Sequence, residues 1–438
     1  MLDLKFILKN SKEIQQAAKN KNIDLDVKEL LEIIRQRKKI TQKLNELQAQ
    51  RNKLAKKAKG KKPSQEQMRQ GRELKAQITG QQKVFSKKDQ KFQELMVKVP
   101  VIPSVDTPIG KDESSNKEIS RFGQPAKFSF KPKDYLQLAK DLDLIDFQRG
   151  VKVAGYRGYF MKNQAVMLQI GLMMFALKKL IQKGFTPFIP PTLVREFVLF
   201  GSGYFAAKNY NPATDEVYQI ANQDKKADGR EEKEKKFLIG TAEPSLLAYY
   251  SGEVLEQKDL PLKICGFSQC YRSEIGSYGK DTRGIYRVHE FMKVEQVCLC
   301  PADIEKSNQL MDEMLEISRE IHQELGLAFR QIQICTGDMS PGKYKMFDLE
   351  AWIPSRKSWG ETGSASNFLD WQARRLNVRY KNKKGDKKFV YMLNNTALAS
   401  PRTIIAILEN NQRSDGSIMV PEVLREYVGS ETIQRVKA

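Results

Sequence analysis

The sequence predicts an α+β protein: an N-terminal antiparallel helical hairpin followed by a larger body of antiparallel strands and helices. Three observations carry this. Residues 27–98 hold two equal heptad stripes separated by Gly60-Lys61-Lys62-Pro63-Ser64. Beyond about residue 118, apolar runs alternate with Gly/Pro turns and helical patterns. Between Cys270 and Glu295, CYRSEIGSYGKDTRGIYRVHEFMKVE, two apolar runs flank a charged, Gly-rich loop (Gly276, Gly279, Arg283, Gly284), the pattern of paired antiparallel strands.

The first helix is expected from Val27 to about Gly60, with Ile33, Ile40, Leu44, Leu47 and Leu54 on its seam and Arg37 and Arg51 filling two seam positions. The second runs to about Lys98 on Leu74, Ile78, Phe85, Phe92 and Leu95. About 34 residues rising 1.5 Å each give an arm of roughly 50 Å, which buries little by itself and should project from a larger body. Its tip carries Arg51, Lys53, Lys56, Lys57, Lys59, Lys61 and Lys62 and no acidic residue. Residues 1–100 hold 26 Lys and Arg against 11 Asp and Glu, so they supply most of the net charge of +22. Such an imbalance favours RNA or DNA as partner over a merely solvated helical surface, and charge of one sign near the turn favours an RNA-gripping arm over a dimerising coiled coil.

The three-proline stretch 99–118 reads as a linker, giving expected domains 1–112 and 113–438. Asp224–Lys236 (DKKADGREEKEKK) reads as a solvated insertion. No apolar stretch of about 18 residues is apparent, so no membrane span is expected. The N-terminus has neither a secretory nor an Arg/Ser-rich leader, and five cysteines without a C-x-x-C pair suit reduced thiols, so a cytoplasmic protein is expected. With only His289 and His322, a zinc site is not expected.

Four segments carry chemistry. If 270–295 is a strand pair, alternation places Arg272 with Glu274, and Arg287 with His289 and Phe291; an arginine, a carboxylate and an aromatic ring suit a nucleotide. Thr241 and Glu243, in LIGTAEP, would face one space on an extended segment and suit an ammonium group; helix capping by Thr241 is the alternative. Asp348-Leu349-Glu350-Ala351-Trp352 is followed by GETGSASN, where Glu361 and Ser364 would suit a hard divalent cation, or form only a turn. Last, NNTALASPRT places Arg402 in the first turn of a helix with Pro401 at its start, a ready anion site.

These segments, in this order behind a basic hairpin, closely resemble the seryl-tRNA synthetases, over essentially the whole chain. Gly184-Phe185-Thr186-Pro187-Phe188-Ile189-Pro190-Pro191 resembles the first class II motif, with Pro191 at the dimer-interface proline; Arg272–Phe291 resembles the second, and the third ends at Arg402. PIGKDES and DGSIMVPEVLREY are also similar to that family.

The resemblance implies the class II fold, an antiparallel sheet flanked by helices and preceded by a coiled-coil arm. It implies that Thr241, Ala242, Glu243, Glu295, Asn394 and Thr396 line a serine pocket. Arg272 would hold both the α-phosphate and the serine carboxylate. Phe291 would stack on adenine beside Val288, with Ser273, Glu274, Thr362 and Gly363 also at the nucleotide. Arg402 would grip the γ-phosphate, Glu361 and Ser364 would coordinate Mg2+, and Arg272 and Arg402 would be the catalytic residues.

The implied reaction is ATP-dependent formation of seryl-adenylate, then transfer to the terminal adenosine of serine-specific tRNA, and of selenocysteine tRNA where present, by a homodimer. Threonyl enzymes share the body but use zinc, for which ligands are lacking here. A non-charging RNA-binding relative should have lost Arg272, Glu295 or Arg402, and all three are present. Carrier-protein loaders lack the basic arm. Ala397 stands where glycine is common, Pro401 where a small residue is, and Thr362-Gly363 replaces a branched residue and serine; none removes a charged ligand.

Overall fold

The computed structural model describes residues 2–57, 64–205, 210–222, 225, 228–232, 234–275 and 283–435. The chain forms two compact units, Met1–Pro100 and Val101–Ala438.

In the first unit, helices Leu4–Lys9 and Ser11–Asn20 precede α1 (Val27–Lys57) and α2 (Gln65–Lys98). Ser64 starts α2 with a reciprocal capping box: its hydroxyl accepts from Gln67 N and the Gln67 side chain accepts from Ser64 N. The heptad reading holds, with Ile33 and Leu47 on α1 and Ile78, Phe92 and Leu95 on α2 buried. Arg37 occupies its seam position because the guanidinium lies 3.8 Å from the Phe92 ring centroid and pairs with Asp89, so its charge is met inside the seam. At the basic end Arg51, Lys53 and Lys56 are exposed on α1. The side chain of Lys57, and Lys59, Lys61 and Lys62 entirely, lie outside the described residues.

The second unit is built on an eight-stranded sheet. Its strands are β1 (Lys117–Phe122), β2 (Thr186–Phe188), β3 (Leu262–Tyr271), β4 (Glu290–Cys300), β5 (Phe329–Gln333), β6 (Lys345–Ile353), β7 (Ser358–Asn367) and β8 (Tyr391–Ala399). The spatial order is β1-β5-β6-β7-β8-β4-β3-β2, antiparallel throughout except where β2 joins β3. Helices α3 (Gln164–Gln182), α4 (Ile304–Glu324) and α5 (Ser400–Asn410) pack on one face. On β4 the alternation is plain: Val294, Cys298 and Cys300 enter the helix-side core, whereas Val297 and Leu299 enter a second core on the opposite face.

Two expectations are corrected. The stretch after Pro100 is no free linker: Val101 N and Ser104 N donate to Pro341 O and Tyr344 O, and Pro108 O and Gly110 O accept from Thr336 N and Gly337 N, each at 2.9 Å. Also, α3 is long and apolar enough, by length and composition, to cross a membrane, against the expectation that no such stretch exists. Here it is the central core helix, burying Leu168, Leu172, Met173, Ala176 and Leu180; a helix apolar nearly all round suits a buried one as well as a membrane. The five cysteines are all unpaired and buried.

Candidate active site

Strands β3 and β4 end their pairing at Tyr271 and Glu290. Arg272, Ser273, Glu274, Arg287, Val288 and His289 therefore lie just beyond the strands, and the expected alternation among them does not apply. Their placement comes from loop hydrogen bonds instead. Arg272 N donates to His289 O at 3.0 Å, and His289 Nδ1 donates back to Arg272 O at 2.9 Å, which fixes the tautomer because a carbonyl only accepts. Arg272 Nε donates to Gly240 O at 3.3 Å, and its guanidinium sits 5.5 Å from the Phe291 ring centroid. Burial opposes the Arg272 cation, but the acidic groups around it, Glu274 and Glu361 among them, leave its pKa raised. Glu274 adopts a left-handed backbone (φ 54°), which turns its carboxylate towards Arg287 at 3.3 Å and Arg157 at 3.6 Å.

Across the same cavity, Arg402 is on the first turn of α5 with Pro401 before it, as expected. Its Nη1 donates to Glu361 Oε2 at 2.9 Å and Nε to Tyr286 O at 3.2 Å, with the Tyr286 ring 4.6 Å away. Val288, Phe291, Lys293, Thr362, Gly363 and Thr396 complete much of the wall between the two arginines.

A cluster of buried polar side chains lies beside it. Glu295 Oε2 is 2.7 Å from Lys293 Nζ and accepts from Thr396 Oγ1 at 3.2 Å. Nearby, Glu243 Oε1 accepts from Asn394 Nδ2 and Gln372 Nε2, both at 2.7 Å. Burial first, and then the Glu295 charge, push the Glu243 carboxyl up to about 7. Thr241 and Glu243 are not on an extended segment: Glu243 opens the helix Glu243–Ala248, Ala242 stands at the cap, and no side chain caps it. Thr241 Oγ1 is buried without a hydrogen-bond partner among the described residues, so capping does not explain it. Gly266, opposite Glu295 in register, lets this helix approach the sheet, since a Cβ there would lie 2.8 Å from Ala242 Cβ.

The GETGSASN segment is strand β7, not a turn. A register shift against β6 falls between the Glu361–Glu350 and Gly363–Leu349 pairs and leaves Thr362 as an extra residue. Glu361 lines the cleft, and Ser364 stands opposite Asp348 in register, whose Oδ1 is buried and unpartnered among the described residues. A second shift, at Ala397 on β8, lets both Thr396 and Ala399 face the cavity. Among the described residues no three His, Cys, Asp or Glu side chains converge to hold a metal by themselves. Glu361, Ser364 and the orphaned Asp348 oxygen fit a hard cation that takes its remaining ligands from water and phosphate, as Mg2+ does.

The Thr362 hydroxyl faces away from the cavity, 2.8 Å from His322 Nε2 and 3.2 Å from Leu349 O, leaving only its backbone at the site. His322 Nδ1 donates to Ser318 O at 2.7 Å, so Nε2 accepts from Thr362 and the ring is neutral. Burial depresses this imidazole from its usual 6.5 to about 4. A depressed histidine stabilises the fold above the unfolded pKa, and that contribution is lost as pH falls from about 6.5 towards 4. Wild type should therefore lose about 3 kcal/mol over that window, and His322→Phe should flatten this loss in denaturant titrations at pH 7 and pH 4.5.

Of the predicted residues, Arg272, Glu274, Val288, Phe291, Glu361, Thr362, Gly363, Thr396 and Arg402 line one cavity, while Glu243 with Asn394 and Glu295 with Thr396 form buried hydrogen-bonded pairs. Gly276 and Gly279 lie outside the described residues, as does part of the charged insertion. Lys293 was missed although it alternates with Phe291 and Glu295 on β4, a signal the sequence offered. Gln372, Tyr286 and His322 gave none.

Residues 222–411 match the tRNA synthetase class II core domain (G, H, P, S and T), and residues 1–103 match the seryl-tRNA synthetase N-terminal domain. A serine--tRNA ligase of Treponema denticola is 40% identical over 440 residues, spanning 99% of this chain and 100% of that protein. One of Rubrobacter xylanophilus is 36% identical over 436 residues and 99% of each chain. The crystal structure of seryl-tRNA synthetase from Pyrococcus horikoshii complexed with ATP superposes with TM-score 0.86 at 35% identity, covering 100% of both chains. The cytoplasmic serine-tRNA ligase of Naegleria fowleri in complex with AMP gives 0.82 at 27%, over 98% of this chain and 96% of that one. With both domains matched and full-length relatives near 40% identity, the chain belongs to the seryl-tRNA synthetases of class II.

Proposed function

We propose that the chain activates L-serine with ATP and passes the seryl group to serine-specific tRNA. The observation that carries this is a cavity walled by Arg272 and Arg402 beside a buried polar cluster of Glu243, Glu295, Asn394 and Thr396. In the first step the serine carboxylate attacks the α-phosphorus in line and pyrophosphate leaves. In the second, a hydroxyl of the tRNA's terminal adenosine attacks the seryl carbonyl and AMP leaves. Neither step needs a side-chain nucleophile; both need placement and neutralised charge.

Arg272, fixed through Gly240 and His289, holds the serine carboxylate and α-phosphate close enough to react. Phe291, under that guanidinium, stacks on adenine, with Val288, Ser273, Glu274, Thr362 and Gly363 around the nucleotide. Arg402, at a helix start, takes the γ-phosphate and so steadies the leaving pyrophosphate. When bound at Glu361 and Ser364, Mg2+ neutralises phosphate charge. The serine hydroxyl meets Glu295 and Thr396, and the ammonium meets Glu243 and Thr241. Alanine would leave these buried groups unpaired, and unpaired buried polar groups are what make such selection strong.

The exposed basic residues of α1, with the lysines that follow them in the sequence, grip tRNA by its shape and backbone. Selenocysteine tRNA, where present, is a further substrate. A homodimer is supported by apolar side chains left exposed on α3, namely Val166, Met167, Ile170 and Ile181. The protein acts in the cytoplasm.

Serine-dependent ATP–pyrophosphate exchange is the test, run beside threonine, alanine and glycine. Serine should support exchange at least about 10²-fold better than alanine, on the reasoning that a lost buried hydrogen bond discriminates strongly. Exchange with no amino acid, or equal exchange with alanine, would refute the proposal.

A further inference from the structure

We propose that Gln372 is a positioning residue for amino-acid recognition: its amide locks one oxygen of Glu243 so that the other is presented to the substrate ammonium. This rests on the serine-activating reading above and adds a residue to it.

Gln372 lies on the short helix Trp371–Leu376 and is fully buried. Its Nε2 donates to Glu243 Oε1 at 2.7 Å and to Ser202 O at 2.9 Å, so both amide hydrogens are used. Its own Oε1 has no partner among the described residues. Turning the amide over would set that oxygen against a carboxylate and a carbonyl, both acceptors, so only one orientation is tenable. Asn394 Nδ2 donates to the same Glu243 oxygen at 2.7 Å. Oε1 is thereby saturated, while Oε2 receives no hydrogen bond from the described residues and is left for a ligand.

The helix that carries Gln372 is itself pinned. The Arg375 guanidinium stacks 3.6 Å from the Trp371 ring centroid and donates to Phe200 O at 2.9 Å. Gly342 and Gly203 both make room for that ring, since a Cβ at either would meet it at 2.7 Å. Gln372 therefore ties three elements together: the end of helix Glu196–Ser202, the first residue of helix Glu243–Ala248, and, through Glu243, Asn394 on β8.

Electrostatics give the arrangement a second consequence. Glu243 faces Glu295 and Lys293 from β4, Lys343 from the loop before β6, and Tyr204. Glu295 disfavours its charge, whereas the Gln372 donor and the two lysines favour it. Withdrawing the amide should make Glu243 harder to ionise, so that a higher pH is needed to bind the ammonium.

The test is pyrophosphate exchange by the full chain bearing Gln372→Met, near in volume but unable to donate, and Gln372→Asn, polar but a methylene short. Both should raise the serine KM by about 10- to 100-fold, the scale of a lost hydrogen bond to a charged group. The ATP KM should stay within twofold, and the acid limb of kcat/KM for serine should move to higher pH. Proportional loss for serine and ATP with an unmoved acid limb would reduce Gln372 to scaffold, and an unchanged serine KM would leave it idle. If Gln372→Met does not fold, Gln372→Asn decides by the same readouts. Wild-type exchange that ignores serine would instead refute the underlying activity.

Discussion

Arg272→Ala should lower serine-dependent pyrophosphate exchange by about 10³-fold or more, the upper range for removing one group that neutralises developing charge. The reasons are geometric. This guanidinium is held from two sides, through Gly240 O and through the His289–Arg272 backbone exchange, and it overlies Phe291. In the proposed reaction it stands between serine and nucleotide, so its loss would remove both the alignment of the attacking carboxylate and the neutralisation of the phosphate. Arg272→Lys should recover only part, because a point charge cannot reproduce a planar fork. Exchange within tenfold of wild type would remove Arg272 from the chemical step.

Glu295→Ala should be as damaging to serine use, and in a different way. Its carboxylate forms a buried ion pair with Lys293 at 2.7 Å and accepts from Thr396. Truncation strands a buried ammonium, which costs about 3–5 kcal/mol of stability. It also removes the acceptor proposed for the serine hydroxyl, so preference over alanine should collapse towards unity even where folded protein remains. Glu295→Ala/Lys293→Met, which deletes both charges, should regain much of the stability and none of the selectivity. Differential scanning calorimetry and paired exchange assays separate the two losses. Selectivity retained in the double variant would place serine discrimination elsewhere.

How far these sites could be read from the chain depends on what periodicity can express. The arm was legible because heptads repeat, down to the anomalous Arg37, although its cation–π and ion-pair solution was not. Arg402 was legible because a proline at a helix start is local chemistry. Glu361 and Ser364 were found as residue types, yet a regular strand would set them on opposite faces; only the extra residue at Thr362 reconciles them. The alternation drawn for Arg272 to Phe291 failed because both strands stop short, and loop geometry has no period. Gln372 sits more than a hundred residues from Glu243 in the chain and contributes through a single tertiary hydrogen bond, which no local pattern announces.

The two register shifts also say what kind of genetic change this site can bear. At Thr362 the side chain points into the helix layer and meets His322, so a substitution there reaches the core before it reaches the cavity. Deleting one codon is another matter. It would restore strict alternation to β7 and rotate either Glu361 or Ser364, with everything beyond it, through half a turn; the same holds at Ala397 for Thr396 and Ala399. These strands are constrained in length more tightly than in composition, and their tolerance is set by counting residues.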